Sequence, residues 1–278
     1  MNKKILLSTI LIIAGLLSCH VKYQLTPEAQ HIYDSLLHVD ASNRIELLEG
    51  TPYQTPAFIF EGRKKGTAIL ILGGTHGDEP AGYEAALRIL ELLQSRTPKQ
   101  GKVIIIPLAN HLAVKKFNRR VLVPTGVDKE KGNLNRCYPG KQNGYPMEQM
   151  AYYIQDLAVK YQVEIFIDLH EARYLHLNTP EESEREQGLG QTIIYYPNDR
   201  SSRLLIDLLD GINSTISNND ENFSGLEQPI LNSAAWWAGK ELDIAAYTFE
   251  TSRSLTLPKR IVYQEQLVTI VFKYAGIW

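Results

Sequence analysis

Leu70-Ile71-Leu72-Gly73-Gly74-Thr75-His76-Gly77-Asp78-Glu79-Pro80 is the stretch on which the fold turns. An apolar run from Ala68 to Leu72 breaks at a glycine pair, and just past Pro80 a helical pattern runs from Ala81 to Gln94 with Ala85, Leu87, Leu90 and Leu93. This is a strand, a sharp turn and a helix. The same punctuation recurs along the chain. Strand-length apolar runs at Ala57 to Phe60, Val103 to Leu108, Val163 to Leu169, Thr192 to Tyr196 and Ile244 to Phe249 alternate with helical patterns at Met147 to Tyr161, Ser201 to Ile216 and Tyr263 to Tyr274. Continuous apolar runs suit strands covered on both faces, so the pattern predicts an α/β fold: a three-layer α/β/α sandwich around a mainly parallel mixed sheet. Asn118 to Tyr145 and Ala172 to Gly190 lack a strong period and read as long loops, which inside a compact domain are usually functional or disordered.

The chain has 278 residues, room for one substantial domain and little more. With 44% hydrophobic and 22% charged residues it fits neither a disordered chain nor a multi-span membrane protein. Lys and Arg number 29 against 31 Asp and Glu, a formal charge of -2, so no basic excess exists to neutralise phosphates and no nucleic-acid partner is expected.

Lys3 and Lys4 precede a mostly apolar run, Ile5 to Leu17, that is too short to span a bilayer comfortably and ends in Leu16-Leu17-Ser18-Cys19. The basic start, short apolar centre and small residue before the cut describe a secretory signal, and Ser18-Cys19 resembles the lipobox of bacterial lipoproteins. An ordinary cleaved signal and an uncleaved anchor are the alternatives, and every one of them exports the chain. The expected organisation is a lipoprotein-type signal over residues 1–18, a tether with a short amphipathic helix (Pro27 to His38) over 19–55, and a single catalytic α/β domain over 56–278. The protein is expected to be exported and lipid-anchored in the bacterial cell envelope, in the periplasm or at the surface. Cys137 is the only cysteine besides Cys19, so the mature monomer holds no internal disulfide and its fold rests on its core.

His76 and Glu79 fall in the turn between the first strand and its helix, and three residues of separation let an imidazole and a carboxylate aim at one point above the strand's carboxyl end. Open α/β sheets place their sites there. In Phe166-Ile167-Asp168-Leu169-His170-Glu171 a second apolar strand stops at a histidine. Two histidines and a carboxylate leave a tetrahedral Zn2+ one open position for water, the pattern of catalytic zinc, and one zinc per chain is expected. Asp168, two residues before His170, points to the same side of an extended strand and is placed to orient an imidazole from behind. The competing reading makes His76 a helix cap and His170 a satisfied core histidine.

A water activated at such a metal needs a base. Glu250 ends Ala245-Ala246-Tyr247-Thr248-Phe249, a strand otherwise too apolar to show a charge without purpose, although pairing with Arg253 would also account for it. Glu171 is the rival base, but neighbouring residues of a strand face opposite ways. In the loop Asn133-Leu134-Asn135-Arg136-Cys137-Tyr138-Pro139-Gly140, Asn135 and Arg136 supply a neutral donor and a bidentate fork for a substrate carboxylate. Arg119 or Arg120 is available to stabilise the oxyanion formed as water attacks, and Arg120 is the one expected to do so.

In these motifs the chain resembles the zinc carboxypeptidase superfamily, and within it the succinylglutamate desuccinylase and aspartoacylase branch. The likeness runs from about Ala68 to Thr251 through Gly-Gly-Thr-His76-Gly-Asp-Glu79, Asn110 to Arg120, Leu134-Asn135-Arg136 with Tyr138-Pro139-Gly140, Asp168-Leu169-His170 and Thr248-Phe249-Glu250. It implies that His76, Glu79 and His170 bind zinc, that Glu250 is the general base, and that Asn135 and Arg136 hold the substrate carboxylate. Two departures stand out: Asn133 occupies a place where that family usually has Asp, and few residues follow Glu250, which leaves no room for the C-terminal β domain of aspartoacylase-like enzymes. Leu169-His170-Glu171 also resembles the murein peptide amidase branch. The leading expectation is a zinc-dependent hydrolase of an amide bond, an N-acyl amino acid deacylase using a metal-activated water. Its partner is a small acylated amino acid or peptide with a free carboxylate. A periplasmic peptidoglycan-peptide metallocarboxypeptidase or amidase is the runner-up, and a non-catalytic substrate-binding lipoprotein the alternative from another class.

Overall fold

The computed structural model describes residues 25–36, 44–183 and 185–278. The expected signal, and residues 19–24 and 37–43 of the expected tether, lie outside the described residues. In chain order the elements are α1 (Pro27–Leu36), β1 (Arg44–Leu47), β2 (Thr55–Glu61), β3 (Lys64–Leu72), α2 (Pro80–Ser95), β4 (Gln100–Ile106), α3 (His111–Lys116), α4 (Pro146–Lys160), β5 (Ile165–Ala172), β6 (Thr192–Tyr195), α5 (Asp199–Asn213), β7 (Ser224–Leu226), α6 (Ala234–Glu241), β8 (Ala245–Ser252) and α7 (Leu257–Tyr274). The strands form one sheet of eight among the described residues, in the order β1-β2-β4-β3-β5-β8-β6-β7. The centre is parallel: β4, β3, β5 and β8 run the same way, while β2 joins β4 and β6 joins β8 antiparallel. This is the expected mainly parallel mixed sheet.

The apolar runs alternate their side chains between two cores. Ile69 and Ile71 of β3, Ile165 and Ile167 of β5, and Tyr247 and Phe249 of β8 meet α2, α5 and α7 on one face. Leu70 and Leu72, Phe166 and Ala246 meet α4 and α6 on the other. A strand that is apolar at every position serves both layers, which is why the central strands show no polar alternation. Helix α2 is buried all round from Pro80 to Leu87 and beyond that keeps Ile89, Leu90 and Leu93 inward.

The sheet begins earlier than the sequence suggested. Arg44–Leu47 pairs antiparallel with β2, so the stretch expected to be tether up to residue 55 contributes the edge strand β1. Its Arg44, Ile45 and Glu46 are half-buried, which hides it from a search for apolar runs. Among the described residues no helix is long and apolar enough to cross a membrane.

Cys137 is buried and its thiol lies 3.2 Å from the Asn133 carbonyl oxygen. Burial, helped by the Glu148 carboxylate, pushes the thiol up to about 12, so the reactive thiolate is suppressed. Native protein should leave Cys137 unmodified by iodoacetamide at neutral pH, and unfolding should expose it. Peptide mass mapping before and after denaturation reads both states, and rapid labelling of the native chain would contradict the packing described.

Candidate active site

The parallel strands β3, β5 and β8 end side by side, and the site stands on their carboxyl ends. β3 stops at Leu72 and the chain turns through Gly73 and Gly74, the latter at φ +69°, a left-handed conformation natural to glycine. A Cβ at Gly77 would come 2.1 Å from the Ala113 backbone, so only glycine lets α3 lie against this turn. Pro80 then opens α2, with Glu79 at the N-cap position. The Glu79 carboxylate does not cap its own helix; it turns toward the two histidines.

His76 Nδ1 lies 2.9 Å from Glu79 Oε1, and His170 Nδ1 lies 2.8 Å from Glu79 Oε2. The backbone N–H of Glu171 donates to the same Oε2 at 3.1 Å. Ligand atoms of His76, Glu79 and His170 all fall within 4.8 Å of one another, and all three residues are buried. His76 Nε2 stands 3.0 Å from Asn133 Oδ1, on the side away from the cluster. His170 Nε2 lies 2.9 Å from Asp168 Oδ2, yet out of line, so neither atom completes a hydrogen bond. Asp168 is itself held by the Thr75 hydroxyl, which donates to Oδ1 at 2.7 Å.

These residues fit a divalent cation. Ligand atoms of two imidazoles and a carboxylate converge, and Nδ1 atoms turned inward with Nε2 atoms backed by oxygens are how metal-binding histidines are oriented. Burial works against the charge on Glu79, but the two imidazoles hold its carboxyl well below the usual carboxylate range. Burial likewise opposes protonation of His170, and Asp168 and Glu79 override it, raising that imidazole well above its ordinary value. In His76 burial wins over Glu79, and its pKa is lowered.

Glu250 stands opposite His170 in the β5–β8 register, so the two side chains share a face of the sheet. Its Oε2 is buried without a hydrogen-bond partner. Burial pushes the carboxyl up to about 8 against the pull of His170. A cation on the cluster adds to that pull and favours the carboxylate. Arg253, the partner that would have made Glu250 structural, reaches Asp78 Oδ2 at 3.5 Å and Glu79 Oε1 at 4.0 Å instead.

Glu171 faces the other core. It accepts from the Ala81 N–H at 3.0 Å and pairs with Arg260 of α7, and burial pushes it up to about 7 in spite of that arginine. Gln264, also on α7, donates to the backbone oxygens of His170 at 2.8 Å and Phe249 at 3.2 Å. Glu171 is thus a brace behind the site.

The arginine chosen from the sequence for the oxyanion is not the one the fold brings in. Arg119 Nη1 lies 2.7 Å from Glu79 Oε1, whereas Arg120 Nη1 turns to Glu130 Oε1 at 2.6 Å. Both arginines lie in a bend that follows α3, and from there one reaches the cluster and the other the loop. Asn135 is buried and its Oδ1 accepts from the Ala234 N–H at 3.2 Å. Arg136 donates to the Asn135 carbonyl at 2.9 Å and is half-buried beside it.

Two histidines and a glutamate thus converge at the ends of parallel strands in a mixed sheet covered by helices on both faces. Residues 65–189 match the model of the succinylglutamate desuccinylase/aspartoacylase catalytic domain, the family that the motifs resemble. Over 108 residues it is 35% identical to the N-alpha-acetyl-L-2,4-diaminobutyric acid deacetylase of Halomonas elongata, covering 39% of this chain and 29% of that one. The fold is similar to the cell shape determinant protein Csd4 of Helicobacter pylori, with a TM-score of 0.65 and 16% identity over 80% of this chain and 55% of that chain. It is also similar to an aspartoacylase family protein of Mesorhizobium loti, with a TM-score of 0.61 and 21% identity over 84% of this chain and 66% of that chain.

Proposed function

We propose that this chain is a zinc-dependent hydrolase of the amide bond in an N-acylated amino acid or peptide that carries a free carboxylate. The observation that carries this reading is the convergence of His76, Glu79 and His170 beside Glu250, a buried carboxylate with an unpartnered oxygen. The match of residues 65–189 to the succinylglutamate desuccinylase/aspartoacylase catalytic domain supports amide hydrolysis as the reaction. A divalent cation held by the three ligands supplies Lewis-acid polarisation of the scissile carbonyl and lowers the pKa of a water. Glu250 takes the proton of the attacking water and delivers it to the leaving amine. Arg119 stands at the cluster to meet the negative charge that develops on the carbonyl oxygen. Arg136 and the Asn135 amide nitrogen bind the substrate carboxylate.

Cleavage of a cell-wall peptide is the second reading. It is favoured by the fold's likeness to Csd4, described in its tripeptide-bound form and as a D,L-carboxypeptidase, and by the lipobox-like Ser18-Cys19. Export and lipid anchoring in the bacterial envelope belong to this proposal and rest on the leader sequence.

Protein purified without chelator should hold about one zinc per chain by elemental analysis. Incubated with N-acyl amino acids and with muropeptides, it should release a free amine from one class, and mass spectrometry of the products identifies which. Binding of either class without cleavage by the zinc-loaded protein would instead point to a substrate-binding lipoprotein. Full zinc retained after His76→Ala and His170→Ala would show the ligand assignment to be wrong.

A further inference from the structure

We propose that Glu130 is a positioning residue for the metal centre: it fixes which way the Asn133 side-chain amide faces, and through it which ring nitrogen His76 turns to the cation. The inference rests on the assignment of His76 as a ligand in the proposed function.

An amide has one accepting and one donating end of nearly the same shape, and turning it over exchanges them. Asn133 is buried, and its Oδ1 receives His76 Nε2 at 3.0 Å and the Asn135 N–H at 3.2 Å. At its other end Nδ2 donates to Glu130 Oε2 at 2.8 Å. A carboxylate accepts and cannot donate, so Glu130 selects the amino end, and a charge-assisted bond makes that selection firm. Glu130 is in turn held by Arg120 Nη1 at 2.6 Å. With oxygen facing His76, the imidazole keeps its proton on Nε2 and turns the lone pair of Nδ1 toward Glu79 and His170. With the amide reversed, an N–H would face Nε2 and the proton would be driven to Nδ1, the atom the cluster needs bare. A carboxylate at position 133 would accept through either oxygen and need no orienting partner. The asparagine is what creates the dependence on Glu130.

Zinc affinity of the full chain, measured by competition with a chromogenic chelator, is compared for wild type, Glu130→Ala, Asn133→Asp and the double variant. The thermal midpoint of each metal-free protein is measured alongside. Glu130→Ala should weaken zinc binding by about 10- to 100-fold, the range for partners directly behind a ligand. In the double variant both oxygens of residue 133 accept, orientation ceases to matter, and affinity should return to within about twofold of wild type. Asn133→Asp alone sets two carboxylates against each other and should bring no gain. A brace with no role beyond holding the loop would leave the double variant as weak as Glu130→Ala, and that result, or unchanged affinity in Glu130→Ala, overturns the proposal. If Glu130→Ala does not fold, Glu130→Gln with Asn133→Asp keeps the same hydrogen bond with donor and acceptor exchanged. Wild-type affinity in that pair supports the proposal, and a loss of about tenfold or more overturns it. A wild-type chain that binds no zinc sinks the ligand assignment itself, whereas zinc binding indifferent to Glu130 sinks this inference alone.

Discussion

Glu250→Gln is expected to lower kcat by about 100- to 10,000-fold, the span that a well-placed general base contributes, while zinc content and KM stay near wild type. The substitution keeps shape and removes only the ability to take a proton. Glu250 is 8% exposed and its Oε2 has no hydrogen-bond partner, so no structural contact at that oxygen is lost and folding should not suffer. A purely structural glutamate would behave in the opposite way, costing stability and sparing turnover. Steady-state kinetics on the hydrolysed substrate, with elemental analysis of the same preparation, separates the cases. Loss of zinc in the variant would make Glu250 a ligand. Retained turnover would leave the base elsewhere, and Glu171 is a poor heir because it faces α7 and Arg260.

The central strands were legible because a strand buried on both faces must be apolar throughout, as Phe166-Ile167 and Ala245-Ala246 are. Where burial is partial that signal fades. Edge strand β1 carries Arg44 and Glu46, and β7 spans only Ser224–Leu226 with its middle residue exposed. Helix α6 is eight residues long and went unseen, although Ser233 caps it by accepting from the Trp236 N–H at 3.2 Å. Its position in the fold matters to the site, because its first residue ties down Asn135.

The convergence of His76, Glu79 and His170 was legible from position alone: they follow the ends of strands, and parallel strands bring their carboxyl ends together. Glu250 followed from the same rule. What lies behind these residues was not legible. Glu130 reaches Asn133 from a loop without periodicity, and Gln264 reaches the His170 carbonyl from a helix 94 positions away in sequence. Such contacts depend on tertiary packing, and no spacing announces them. The charge that a carboxylate at position 133 would bring is supplied one bond further out by Glu130.

The division of labour between Arg119 and Arg120 gives the other large expected effect. Arg119→Met should lower kcat/KM by about 100- to 1,000-fold, the cost of removing one donor aimed at a developing oxyanion. Its guanidinium is 2.7 Å from Glu79 Oε1, at the cluster where the proposed reaction takes place, and its side chain is 39% exposed, open to solvent. The same exposure makes a structural loss small. Arg120→Met should behave differently, because Arg120 touches the site only through Glu130 and Asn133. Its defect should lie in zinc affinity and should vanish when the assay is saturated with zinc, whereas the Arg119→Met defect should persist there. Activity measured against zinc concentration for both variants tests the distinction. An Arg120→Met loss that survives saturating zinc, beside an active Arg119→Met, would return the oxyanion role to Arg120 and require the loop from 118 to 132 to rearrange when substrate binds.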